Sequence, residues 1–208
     1  MQQQLTINKF VLSEEFKSSL KESIGYDINQ CIDKVEDLTE EVKTLEEEFQ
    51  SLKDKTDDLE QCEWRNNLLI HGIQENGGED TDTIVKDLIQ KDLGITLNDN
   101  DICRSHRVGR KRDGKHRQII VKLTKHNPKV MIMMKRKELK NKRPNVFVSE
   151  DLTREGMSIL HTLKGIDRHI ISKIWTVDGV VFSRRMDTND LKSFTTIREC
   201  KRYITNEL

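Results

Sequence analysis

Apolar residues between Ile28 and Leu59 recur alternately every three and four positions. Counted as heptads, the a positions are Ile28, Val35, Val42, Phe49 and Thr56, and the d positions are Cys31, Leu38, Leu45, Leu52 and Leu59. Eight of these ten are aliphatic or aromatic and no Gly or Pro interrupts the run, which predicts a coiled coil. A seam this narrow leaves too little apolar width for an ordinary core helix. β-branched residues at a with Leu at d lean toward two parallel strands, but Phe49, Thr56 and Cys31 weaken that preference, so the heptads leave the oligomeric state open. Glu48 to Lys53 and Lys55 to Glu60 are attractive g-to-e pairs that support parallel in-register pairing, while Glu41 to Glu46 is repulsive.

Before the heptads, residues 1–23 read as a tail with a helix start at Ser13, whose hydroxyl can cap and whose successors Glu14 and Glu15 suit the positive end of a helix dipole. After them the periodicity changes. Leu68 to Ile73 reads as a buried strand; Asn76-Gly77-Gly78 is a loop; Asp80 or Thr81 caps a helix carrying Ile84, Val85, Leu88 and Ile89 and stopped at Gly94. A weak strand spans Asp101 to Arg107 and a clear one spans Gln118 to Leu123. Asn127 as cap and Pro128 at the first helical position open a second helix to Leu139, and Asn145 to Val148 is a fourth strand. That order is βαββαβ, the ferredoxin-like arrangement of RNA-recognition domains. Beyond it, Thr153 caps a helix with Met157, Leu160 and Leu163 on one side. Lys173–Val177 and Val180–Arg184 flank the two-residue turn Asp178-Gly179, Phe194 to Ile197 reads as a further strand, and Arg198 to Glu207 as a short helix. The expected fold class is therefore α+β: a tail over 1–23, a coiled coil over 24–63, a ferredoxin-like domain over 64–149 and a small α+β domain with a β-hairpin over 150–208.

Composition sharpens this division. The 208 residues are 35% charged and 34% hydrophobic with a formal net charge of zero, too polar for one large globule. The balance conceals a segregation: residues 28–63 hold 4 Lys or Arg against 13 Asp or Glu, and residues 64–208 hold 29 against 19. A basic C-terminal part suits a polyanion, because neutralising phosphates releases counterions. The scattered Cys31, Cys62, Cys103 and Cys200, with no apolar leader at the N-terminus, fit a reducing intracellular compartment, and no apolar run reaches membrane-spanning length.

The stretches Arg65-Asn66-Asn67-Leu68-Leu69-Ile70-His71-Gly72-Ile73, Arg104-Ser105-His106-Arg107-Val108-Gly109, Arg117 to Lys122 and Glu150-Asp151-Leu152-Thr153 follow one another in this order. Together they resemble the RNA-binding first-open-reading-frame protein of LINE-type retrotransposons. The C-terminal part, with Trp175, Asp178-Gly179 and Phe182-Ser183-Arg184-Arg185, is also similar to the C-terminal domain of baculoviral few-polyhedra proteins. The resemblance runs from about Ile28 to the C-terminus. It implies a homotrimeric coiled coil, favoured over a dimer, carrying an RNA-recognition domain and a C-terminal domain that together coat single-stranded nucleic acid and act as a strand-exchange chaperone. Carried over by position, Arg65 and Asn67 match residues at the start of the family's first strand, Arg110, Lys111 and Arg112 its basic loop, Lys135, Arg136 and Lys137 its second basic stretch, and Trp175 an aromatic of its C-terminal hairpin. An arginine that relatives carry near Leu160 and His161 is absent, so Arg154 is expected to supply that contact. The chain has no counterpart of the long N-terminal region of many relatives and no zinc-knuckle cluster, which fits a truncated, viral or domesticated member.

From the residues themselves, Arg104 to Arg117 is the densest cationic stretch, with Arg104, Arg107, Arg110, Lys111, Arg112, Lys115 and Arg117 against the single acid Asp113. Such a loop wraps a flexible backbone, and guanidinium planes stack on bases; the alternatives are a solvated loop or a nuclear-import signal. The run from Lys135 to Arg143 either extends that track or caps a helix end. The two expected central strands carry no aromatic, so stacking on the sheet should be weak and fall to Trp64, Trp175 or arginines. Gly109 to His116 only approximates a phosphate-binding loop, with His116 where Ser or Thr is required, and Cys103, His106 and His116 lack the paired CxxC of a zinc site. The expectation is a non-enzymatic binder of single-stranded RNA or DNA that needs no cofactor, self-associates through Ile28, Val35, Leu38, Val42, Leu45, Phe49, Leu52 and Leu59, and grips its strand in a basic cleft between the two folded domains. A cytoplasmic ribonucleoprotein, with nuclear residence as an option, is the expected setting. The rival is a viral or host structural adaptor working through protein–protein contacts.

Overall fold

The structure is a computed structural model that describes residues 13–111 and 114–207. The protein is α+β: a long N-terminal helix precedes two antiparallel sheets. Two compact units divide at Lys53 and Asp54.

Helix α1 runs Glu14–Trp64, so it begins within the residues read as a tail. The Ser13 hydroxyl accepts the Phe16 amide at 3.2 Å, the expected cap. None of its residues is buried. The seam residues Ile28, Val35, Leu38, Val42, Leu45, Phe49, Leu52 and Leu59 are 53–73% exposed in the single chain, and Leu20 and Ile24 extend the apolar line toward the N-terminus. The rest of the tail, residues 1–12, lies outside the described residues.

From Asp54 onward the remainder packs together. The first sheet is built from β1 (Asn67–His71), β2 (Ile102–Val108), β3 (Gln118–Leu123) and β4 (Phe147–Glu150) in the order β2-β3-β1-β4, with every neighbouring pair antiparallel. Helices α2 (Thr81–Leu93) and α3 (His126–Lys142) lie between β1 and β2 and between β3 and β4 in the chain. The Asp80 side chain accepts the Asp82 amide at the start of α2, and Gly94 closes it. Side chains alternate across each strand, so Leu68, Ile70, Ile119, Val121, Leu123 and Val148 meet Val85, Leu88, Ile89, Ile132 and Leu139 in one aliphatic core. Gly72 ends β1 at φ +81°, where a Cβ would overlap the Asn145 carbonyl. Gly72→Ala is expected to cost about 2–4 kcal/mol, read as a lower urea midpoint, because it combines backbone strain with a collision against main chain.

The second sheet follows β4 by way of helix α4 (Arg154–Lys164): β5 (Ile171–Val177), β6 (Val180–Arg185) and β7 (Leu191–Phe194) pair in that order, and α5 (Ile197–Glu207) ends the described chain. Thr153 caps α4 through its hydroxyl, which accepts the Gly156 amide at 3.1 Å. Asp178 and Gly179 both have positive φ, 52° and 87°, as the tightest hairpin turn requires. Ile159, Leu163, Ile171, Val181, Phe194, Cys200 and Tyr203 form this core.

Several boundaries and one helix face differ from expectation. Helix α3 starts at His126, one residue before the expected cap, with no side-chain cap, and runs past Leu139 to Lys142. Strand β4 runs Phe147–Glu150, two residues later than read, because the Glu150 carboxylate is buried against Lys129 and so belongs inside the strand. The last strand is Leu191–Phe194, since Phe194 must reach the core opposite Val181. Helix α4 buries Ile159 and Leu163, while Met157 is exposed and Leu160 only partly covered.

Candidate nucleic-acid interface

Helices α2 and α3 pack on one face of the four-stranded sheet, which leaves the alternate residues of each strand on the other. Pairing registers place Leu69 and His71 of β1, Ile120 and Lys122 of β3, Arg104 and His106 of β2, and Phe147 and Ser149 of β4 on that second face. Each is exposed or half-buried. A register shift between Ile102 and Arg104 lets Ile102 enter the core while Arg104 stands opposite Lys122 on the open side. Trp64, at the end of α1, lines a small recess of about 80 Å³ with Asn67, Arg104, His106 and Lys122 at one end of this face. At the other end His71, Val108, Gly109, Arg110 and His116 line a recess of about 250 Å³.

The basic loop rises from that end. Arg110, Lys111 and Lys115 are exposed, whereas Arg112 lies outside the described residues. Arg107 and Arg117 have other work. The Arg107 guanidinium is almost wholly buried; its Nε donates to Glu79 at 2.6 Å and its other nitrogens donate to the carbonyls of Ile73, Gln74 and Arg117. Arg117 donates to Glu75 at 2.7 Å. Hydrogen bonds from the two arginines hold both carboxyls below the ordinary range, Glu75 at about 2 and Glu79 in the same direction. These pairs clamp the base of the loop to the segment after β1, which fixes where the exposed cations emerge. The chain matches no protein-family model and no curated protein.

The remaining candidates separate by their neighbours. Arg65 is exposed just before β1. Asn67 is buried, and its Nδ2 donates to Asp151 at 2.9 Å, so it joins the two folded parts instead of facing solvent. Lys135 donates to the Leu93 carbonyl and Lys142 to that of Asp92, at the C-terminal end of α2, while Arg136 lies against Met133. The second basic run therefore serves mainly to cap a helix on the covered side of the sheet, leaving Lys137 exposed. Arg154 is exposed on α4. Trp175 stacks on Phe182 at 5.7 Å between centroids, with the Lys173 ammonium 5.1 Å and the Arg184 guanidinium 6.0 Å from its ring. Register puts all four on the side of the hairpin sheet away from its core, a second cationic and aromatic surface.

The junction between the folded parts is acidic where a basic cleft was expected. Lys129, buried on α3, lies 2.8 Å from both the Glu150 and Asp178 carboxylates, and Glu150 also accepts the Asp178 amide. The last turns of α1 join the same region: Asp57 accepts the Thr153 hydroxyl, and Gln61 donates to the Asp151 carbonyl and accepts the Thr153 amide. Burial pushes the Asp57 and Asp151 carboxyls up. The Gln61 side chain lies so close to Gly179 that a Cβ there would overlap it. Asp57 and Gln61 occupy b and f heptad positions, so the contacts use the side of α1 opposite the seam and leave Leu59 outward. Sequence reading missed the Lys129 group, whose members are 21 and 28 residues apart in the chain.

All four cysteines are free thiols; burial pushes Cys200 up to about 11, which makes it a poor nucleophile. Among the described residues no helix is long and apolar enough to cross a membrane, and no group of His, Cys, Asp or Glu is placed to hold a metal.

Proposed function

We propose that the protein is a non-enzymatic binder of single-stranded nucleic acid, RNA in the first instance, assembled through the α1 seam into a homotrimer and acting as a chaperone within a cytoplasmic ribonucleoprotein. The observation that carries this reading is the open sheet face with Arg104 on it, where Lys122 is paired with Glu63 at 3.0 Å, and the exposed cations Arg110 and Lys111 beside it. The order βαββαβ with strands arranged β2-β3-β1-β4 supports reading residues 64–149 as ferredoxin-like, of the kind used by RNA-recognition domains. The resemblance to LINE-type proteins across Arg65 to Ile73 and Arg104 to Gly109 supports the same reading. Bringing several such faces together raises avidity while each grip stays weak enough to release and exchange a strand.

Binding should weaken with salt, with a slope of about −0.7 per phosphate neutralised on a single strand. Replacing Arg110, Lys111 and Arg112 together with alanine should abolish an electrophoretic shift at moderate salt and flatten that slope; unchanged affinity would remove the loop from the interface. The exposed apolar seam favours a second reading, an adaptor that captures partner helices. An adaptor would show no length-dependent affinity for a single-stranded oligonucleotide, and the same shift assay decides between the two.

A further inference from the structure

Absence of aromatics from the central strands pointed away from base stacking on the sheet, yet the structure brings two rings together across its edge. His71, the last residue of β1, and Phe147, the first of β4, are direct partners in the ladder. Their rings lie 4.2 Å apart at 7°, a stacked pair. The imidazole is held by Nε2 against the Ser149 hydroxyl at 3.0 Å, so one ring is anchored and orients the other. Parity explains the exposure: Ile70 and Val148, the next pair, point into the core, which turns His71 and Phe147 to the open face and leaves Phe147 55% exposed. His71 also lines the 250 Å³ recess with Arg110 and His116, so an aromatic surface and an exposed guanidinium meet at one corner. We propose that Phe147, backed by His71, is a stacking platform for one nucleobase of a bound single strand, whose adjacent phosphates pass Arg110.

This inference rests on the reading of the protein as a single-strand binder and adds to it the group that contacts a base. An aromatic pair with the exposed Arg110 at the same corner fits a nucleotide better than a purely apolar partner, since it offers a π-face and a phosphate site together. Single strands are selected because a paired base keeps its faces against its neighbours in the duplex. The contact is indifferent to base identity, as every base has such a face.

The test uses the full chain with an oligouridylate, an abasic oligonucleotide of the same length, and Phe147→Ala and Phe147→Trp. Loss of a stacked base lowers affinity by roughly 5- to 100-fold. Phe147→Ala is expected to weaken oligouridylate binding by that order, to leave abasic binding and the salt slope unchanged, and Phe147→Trp is expected to restore it. Equal losses on both ligands, or no loss on either, would overturn the platform while leaving the single-strand reading in place. A wild-type chain that binds neither ligand in dilute buffer would overturn both. Ultraviolet crosslinking of the wild-type chain to the oligouridylate is independent of any folding defect in the variants: a crosslink at Phe147 supports the platform, and crosslinks that omit it overturn it.

Discussion

With Leu38 and Leu45 both replaced by aspartate, the protein is expected to become a monomer and to lose about 100-fold or more of its apparent affinity for a long single-stranded oligonucleotide, the scale set by effective concentration. Both residues sit at d, are more than half exposed in the single chain, and have no core of their own to enter. Burying each in a seam is worth about 1.5–3 kcal/mol per copy, and aspartate replaces that gain with the cost of sequestering unpaired charge. Sedimentation reports the mass, and titration with long and short oligonucleotides separates avidity from intrinsic affinity. An oligonucleotide spanning one protomer should bind the variant as it binds the parent. An unchanged mass would show that the seam is not what joins the copies.

Lys129→Met should destabilise the region after Asp54 by about 3–5 kcal/mol, the cost of leaving a buried charge without its partner. The ammonium stands 2.8 Å from Glu150 and 2.8 Å from Asp178, with Lys129 and Glu150 both almost wholly buried. Without it the buried Glu150 carboxylate is left uncompensated beside the part-exposed Asp178, and the hairpin turn loses the ammonium that ties it to α3. The hairpin should then become the first site of limited proteolysis. Adding Glu150→Gln should recover much of the loss, because the pair is costly to break but not intrinsically worth much. A change below about 1 kcal/mol for Lys129→Met would show that the group is relaxed in solution, at the level of an exposed ion pair.

Local chemistry was legible in the sequence because its partners lie within a few residues. Asp80, Gly94, Thr153 and the Asp178-Gly179 turn all act where their spacing placed them. Long-range partners were not. Arg107 and Arg117 looked like free cations because Glu79 and Glu75 lie 28 and 42 residues earlier in the chain, and only strand pairing brings them together. Asn67 looked surface-facing for the same reason, with Asp151 84 residues away. Glu150 was placed outside its strand because a carboxylate rarely belongs in a core, and the buried Lys129 that permits it lies on another element. The His71 and Phe147 pair could not be read until the register of β4 against β1 fixed which face Phe147 takes.

The most direct test of the central claim is the mass in solution by light scattering, with and without a single-stranded oligonucleotide. The account predicts a multiple of the 24.4 kDa protomer, three copies first, that gains further mass on adding the strand. A 24.4 kDa monomer whose mass does not change with the oligonucleotide at low salt would contradict it.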